Sequence, residues 1–256
     1  MSGAKVVYEV RDGIGHIIIN NPEKMNSMSM ESTDRLSTII DMIEDDEEVK
    51  VVIITGKGDE AFMAGQDIDN FQLPSLQIGK KLVRTVLRML SHLEKLNKPV
   101  IAAVNGLALG GGTEILLACD IVVASEKARF GLPEARVGVA PIWGIIRLAA
   151  AVGRNKAKEL MMTGDIISAE EAKRIGLVSK VVEHDKLLEE AEEIARKIMS
   201  KAPLAIELIK RSVDRELLTE GEVLASETGV LMFNTKDFRE GVNAFLEKRK
   251  PVFKGM

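Results

Sequence analysis

The sequence of 256 residues predicts an α/β protein. Three continuous, β-branched runs, VKVVIITG (49–56), NKPVIAAVNG (97–106) and DIVVAS (120–125), have the texture of strands buried on both faces. Between them, apolar residues recur every three to four positions, so strand and helix alternate as in a parallel sheet covered by helices. A length of 256 residues suits one sizeable core with an appendage.

The elements follow in order. KVVYEV (5–10) and GHIIIN (15–20) flank RDGI, so Asp12-Gly13 predicts a hairpin turn. Ser29 is placed as the N-cap of a helix carrying Leu36, Ile39, Ile40 and Ile43 on one face. The acidic run Asp45 to Glu48 reads as a solvated helix end rather than a metal site. An amphipathic helix is expected over about 77–96, and a glycine-rich turn precedes another before DIVVAS. EKARFGLPEARVGVAPIWG is rich in turns. From about residue 154, the helices NKAKELMMTG and SAEEAKRIG precede one short strand, LVSKVVE. Further helices start near Lys186, Pro203, Glu220 and Thr235. The expected organisation is a core of residues 1–194 and a helical region of 195–256. In that tail Leu231, Met232, Phe233, Phe238 and Phe245 fall on recurring faces that cap the core or meet another subunit.

Composition excludes several classes. Against 35 Lys and Arg stand 39 Asp and Glu, a net charge of −4, so a nucleic acid is not expected as partner. The single cysteine, Cys119, lies in an apolar run and reads as a buried thiol of a reducing compartment. No secretory h-region follows Met1 and no apolar run reaches membrane-spanning length, which leads to an expectation of a cytoplasmic protein without membrane contact. His16, His92 and His184 are scattered, none in a metal-ligand spacing. GLALGGG is neither a dinucleotide nor a phosphate-loop motif, and no GxSxG elbow occurs.

What remains are two places where backbone N–H groups converge near acids. GGGTE opens a helix, where unpaired N–H groups and the helix dipole favour an anion or a carbonyl developing negative charge. Close helix packing is the alternative use of those glycines. EAFMAGQDI (60–68) supplies a second turn, at Gly65. A carboxylate such as Glu114 at the start of an apolar helix is costly unless it does something there. A pair of donors with Glu114 beside it suits an enolate-like intermediate.

HIIINNPEKMNSM, FMAGQDI, KPVIAAVNGLALGGGTEILLACDIVVAS, ARFGLPEARVGVAP, AKELMMTGDIISAEEAKRIGLVSKVV and GVNAFLEKRKPVFKGM together resemble the enoyl-CoA hydratase/isomerase (crotonase) family over essentially the whole chain. The resemblance implies a spiral of repeated ββα units with a helical C-terminal region for trimer assembly, in trimers or dimers of trimers. It implies reversible hydration of short-chain trans-2-enoyl-CoA to 3-hydroxyacyl-CoA, a reaction of fatty-acid β-oxidation. No cofactor is implied, coenzyme A being part of the substrate. The backbone N–H groups of Gln66 and Gly111 match the family's oxyanion hole, and Glu114 and Glu134 match its two acids. Glu114 would take a proton from water attacking C3, and Glu134 would supply one to C2. Either can also be read more plainly, as a helix-start carboxylate and a solvated loop residue.

Substrate and CoA contacts are expected, by the same resemblance, from Lys24, Met25, Ala64, Gly65, Asp67, Ile68, Gly110 and Pro133, with Phe253 and Lys254 reaching a neighbouring subunit's site. Two departures stand out. PIWGIIRL replaces a glycine-rich stretch, so Ile142 and Trp143 are expected to narrow the acyl pocket or reshape its floor. Gln66 stands where a small residue is usual. The isomerase, hydrolase and ring-forming branches share the oxyanion hole, an RNA-binding homologue would need a contiguous basic surface, and a purely structural oligomer would have no use for the acids.

Overall fold

The computed structural model describes residues 5–67, 76–214 and 235–252. The chain opens with a hairpin, β1 (Val6–Arg11) and β2 (Ile14–Ile19). Asp12 and Gly13 both have positive φ, 51° and 77°, so the turn has the twist that joins neighbouring antiparallel strands. The Ser29 hydroxyl accepts from the Ser32 N–H and caps α1 (Met30–Asp45), which buries Leu36, Ile39, Ile40 and Ile43.

The next part repeats one path three times. β3 (Val51–Gly56) leads to β4 (Ala61–Met63) and then to α2 (Leu76–Lys95). β5 (Val100–Val104) leads to β6 (Leu107–Leu109) and α3 (Gly111–Leu116). β7 (Ile121–Ser125) leads to β8 (Arg129–Gly131), a 3-10 turn over Pro133–Val137, and α4 (Gly144–Val152). Each long strand joins one sheet and each short strand another. After α5 (Arg154–Thr163) come β9 (Ile167–Ser168), α6 (Ala169–Arg174), β10 (Lys180–Val182), α7 (Leu187–Met199), α8 (Pro203–Asp214) and, beyond the undescribed stretch, α9 (Lys236–Leu246).

The larger sheet runs β1-β2-β3-β5-β7-β10 and is parallel except for the opening hairpin. The smaller runs β4-β6-β8-β9, with β9 antiparallel to β8. β3, β5 and the buried part of β7 are covered on both faces. Val52, Ile54, Val100, Ala102 and Val104 face the main core, while Val51, Ile53, Ile101, Ala103 and Val123 face a second cluster completed by α7. Continuous apolar strands are the direct consequence.

One expected boundary needs adjustment. A boundary after residue 194 falls inside α7, whose Ala191 and Ala195 pack in the same cluster under the large sheet. The helical tail meets the core through Phe238 of α9, which is 2% exposed within it. Pro141, Ile142 and Trp143, at the end of the turn-rich stretch, lead directly into α4, which starts at Gly144. Leu231, Met232, Phe233 and the helix start near Glu220 lie outside the described residues.

The site-bearing turn is fixed by a very close approach. A Cβ on Gly112 would lie 2.1 Å from the Met63 carbonyl oxygen, so α3 rests directly on the β4 backbone. Gly112→Ala should lower stability by about 1–3 kcal/mol or more through overpacking. A urea unfolding midpoint equal to that of the parent would contradict this packing.

Candidate active site

Met25–Met28 and Ala64–Asp67 run side by side, and their hydrogen bonds decide which way each N–H points. Ala64 N–H donates to Met25 O at 3.0 Å, Met28 N–H to Gly65 O at 3.0 Å, and Asp67 N–H to Met28 O at 2.9 Å. Successive N–H groups of an extended chain point to opposite sides. Gln66 N–H is therefore turned away from this pairing and has no acceptor among the described residues. Gly111 is the first residue of α3, where an N–H has no intrahelical partner.

The two donor loops meet. Gly65 and Gly110 have φ of 105° and 52°, and a Cβ on Gly110 would lie 4.0 Å from Gly65 Cα and 3.2 Å from Glu134 Oε1. The absence of a side chain at Gly110 thus leaves room where the Gln66 loop, the α3 start and the Glu134 carboxyl come together. The Gln66 amide reaches the same place, its Nε2 lying 3.9 Å from a Cβ position on Gly111, and its buried Oε1 has no partner among the described residues.

Glu114 is 3% exposed. Its Oε1 accepts from the backbone N–H of Trp143 and, at 3.0 Å, from that of Gly144. Burial raises its pKa, and hydrogen bonds from Gly144, Trp143 and Ile142 act in the opposite direction. Glu134 sits in the 3-10 turn, with a buried Oε2 that has no partner among the described residues. Burial first, and the charge of Glu114 second, push its pKa well above the usual carboxylate value. Both acids are shifted upward, and Glu134, without the backbone donors that offset burial at Glu114, holds its proton more strongly.

The structure brings Gln66, Gly65, Gly110, Gly111, Glu114 and Glu134 together, with Ala64 and Pro133 adjoining them in the chain, and arranges other expected contacts differently. Trp143 is wholly buried in the main core, with the Arg147 guanidinium 4.8 Å from its ring centroid. Its indole does not stand on an open pocket wall, and what it offers Glu114 is its backbone N–H. Ile142 is half-buried beside it. Lys24 pairs with Asp67 at 2.9 Å, so this lysine is already engaged by an acid. Met25, in the left-handed region at φ 54°, supplies a carbonyl to the donor loop. Ile68, Phe253 and Lys254 lie outside the described residues.

Sequence reasoning missed the polar residues that hold these turns. Asn26, wholly buried, donates from Nδ2 to Ala61 O at 2.6 Å and Lys57 O at 3.0 Å, while Oδ1 accepts from Asn21 N–H at 2.9 Å. Asn105 binds Gly58 O and Ala61 O through Nδ2 and accepts from Gly56 N–H at 3.1 Å. For Asn105, an asparagine directly after a buried strand was the available signal. Recesses of about 430 and 340 Å³ flank α8, and neither is lined by Glu114 or Glu134. Among the described residues no group of three or more His, Cys, Asp or Glu side chains is placed to hold a metal, and no helix is long and apolar enough to cross a membrane. Cys119 donates its thiol to Ile115 O at 3.2 Å, and burial pushes its pKa up.

Comparison with known proteins places this geometry in a class. The Enoyl-CoA hydratase/isomerase family matches residues 9–256. A short-chain-enoyl-CoA hydratase of Clostridium acetobutylicum is 42% identical, with 96% of this chain and 95% of the relative covered. A crotonyl-CoA hydratase of Syntrophomonas wolfei is 38% identical over 99% of both chains. The crystal structure of an enoyl-CoA hydratase from Bacillus anthracis superposes with a TM-score of 0.80 at 38% identity, covering 98% of this chain and 100% of that one. The fold is that of the CoA-ester enzymes built from ββα repeats, the crotonase fold. This chain belongs to the enoyl-CoA hydratase/isomerase family.

The raised pKa of Glu134 has a consequence for stability. The unfolded chain releases this proton near the ordinary value of 4.5, whereas the folded chain holds it to higher pH. Between those two values the folded state binds more protons, so stability falls as pH rises, and it stays lower above the folded pKa. Glu134→Gln removes that loss. The variant should melt above the parent at pH 8, with the gap shrinking toward pH 4. A gap that does not change with pH would show that Glu134 titrates alike in both states.

Proposed function

We propose that the protein catalyses reversible addition of water to short-chain trans-2-enoyl-CoA thioesters. The observation that carries this reading is the pair of acids in unlike environments beside two outward-facing N–H groups. The thioester oxygen binds the N–H groups of Gln66 and Gly111, where fixed dipoles stabilise negative charge as it develops. Water attacks C3 and gives a proton to Glu114, which its three backbone donors favour as an anion. The C2=C3 electron pair moves toward C1, giving an enolate, and Glu134 delivers its proton to C2. Hydroxyl joins C3, hydrogen joins C2, a proton passes from Glu114 back to Glu134 by exchange with solvent before the next turnover, and the reverse reaction exchanges the duties of the two acids. Two acids favour hydration over isomerisation, in which a single carboxylate can carry the proton between carbons.

Coenzyme A enters as part of the substrate, and neither a metal nor a nicotinamide has a step to perform. Lys24 would reach the CoA phosphates by exchanging its Asp67 partner for them. Met25, Ala64 and Asp67 carry the donor loop along the substrate, with Gly110 and Pro133 at the acyl end. Assembly as a trimer or a dimer of trimers, and a cytoplasmic place in fatty-acid β-oxidation, complete the proposal. Exposed Phe245 and Leu246 at the end of α9 are suited to a subunit contact.

Crotonyl-CoA should lose its conjugated-enoyl absorbance with chelated, cofactor-free enzyme. Glu114→Gln and Glu134→Gln should each lower turnover by about 10²–10⁴-fold, and the double variant should lose little more than either single one. Near-parental hydration by Glu114→Gln would move the assignment to isomerisation.

Chain length supplies a separate test. Specificity constants should fall from C4 to longer esters, with about 1–3 kcal/mol lost per methylene that does not fit. Ile142→Ala should flatten that fall. It is a cleaner probe than truncation of Trp143, which would open a core cavity. A parental optimum at C10, unchanged in Ile142→Ala, would place the acyl chain elsewhere.

A further inference from the structure

Glu114 is held by the start of α4, so whatever fixes α4 fixes the carboxylate. Trp143 and Gly144, whose N–H groups bind Glu114 Oε1, lie at the first turn of this nine-residue helix, and Arg147 lies one turn further along. Arg147 is 3% exposed and Glu94, on α2, is 6% exposed. The guanidinium grips that carboxylate in a fork, Nε to Oε1 and Nη2 to Oε2, both at 2.7 Å. The same guanidinium lies over the Trp143 ring at 4.8 Å. The indole Nε1 is buried without a partner among the described residues, so the ring is held by packing and by this cation.

A buried ion pair is a poor device for stability alone, because removing two charges from water cancels much of their attraction. Its distinctive property is direction. A two-point fork between α2 and α4 fixes α4 in rotation and along its axis, which apolar contacts between smooth side chains do less sharply. The geometry points to Arg147 and Glu94 as positioning residues for the hydration reaction: their fork, with Trp143 clamped beneath it, sets the backbone donors that hold Glu114 in line with the attacking water. This inference rests on the reading of Glu114 as the group that receives the water's proton. Small displacements of such a group are expensive in rate.

The distinguishing experiment pairs Glu94→Met/Arg147→Met with Arg147→Lys, with Glu114→Gln as control. The double methionine variant replaces the pair by apolar side chains without leaving one charge buried alone. Arg147→Lys keeps the charge and loses the fork. Tm, kcat and KM for crotonyl-CoA, and the pH profile of kcat are measured for each. The double variant should stay folded, with kcat about 10-fold or more below the parent and KM changed less than about 2-fold. Loosened N–H donors favour the Glu114 anion less, so the acid limb of the profile should move to higher pH, Glu134 being the titratable neighbour retained in every variant. Arg147→Lys should show the same shift to a smaller degree.

A folded double variant with parental kcat and acid limb would overturn the inference and leave the pair a packing element. If the double variant does not fold, Arg147→Lys decides by the same two readouts, and parental values there overturn it as well. Parental hydration by Glu114→Gln would instead refute the reading of Glu114 itself, whatever the clamp variants do.

Discussion

The Glu114 carboxylate is sealed inside the protein, and an isolated anion there would be neutralised or expelled. It is tolerated because backbone N–H groups at the start of α4 converge on one of its oxygens. Those groups are unpaired in any helix, so the site uses a donor set that helix formation leaves over. The constraint then spreads outward. α4 must begin at that point, α3 must bring Glu114 to it, and α3 must lie directly on β4, which is why Gly112 has no room for a side chain.

The same economy holds at the donor loop. Pairing of residues 25–28 with 64–67 consumes alternate N–H groups and leaves that of Gln66 turned away from the pairing. Asn26 and Asn105 satisfy the carbonyls that these tight turns would otherwise bury unpaired. Glu134 is the opposite case. Its Oε2 has no donor among the described residues, and burial first and the charge of Glu114 second push its pKa well above the usual carboxylate value. An acid and a base of the same residue type follow from unequal hydrogen bonding.

Much of this was legible in the sequence, and the limits were physical. β3, β5 and β7 were plain because strands covered on both faces must be apolar throughout. β4, β6, β8 and β9, of two or three residues each, have no room for a period and stayed hidden inside what read as loops. Glu114, Glu134 and the glycine turns were found because short motifs bracket them. Arg147 and Glu94 were not, since 53 positions separate them and each alone looks like a surface charge on an amphipathic helix. Trp143 was assigned to the pocket from its bulk, although its backbone carries its contact with Glu114. No pattern of side chains announces a backbone contact.

The central claim is that the two glutamates titrate unequally, with Glu134 holding its proton to the higher pH. Carbon NMR of protein labelled at glutamate side-chain carboxyls, with the two signals assigned from the Glu114→Gln and Glu134→Gln variants, reads this directly. The Glu134 carboxyl should keep the shift of an acid through neutral pH, while Glu114 ionises first. Titration of Glu134 near the ordinary value of 4.5, or loss of its proton before that of Glu114, would contradict the account.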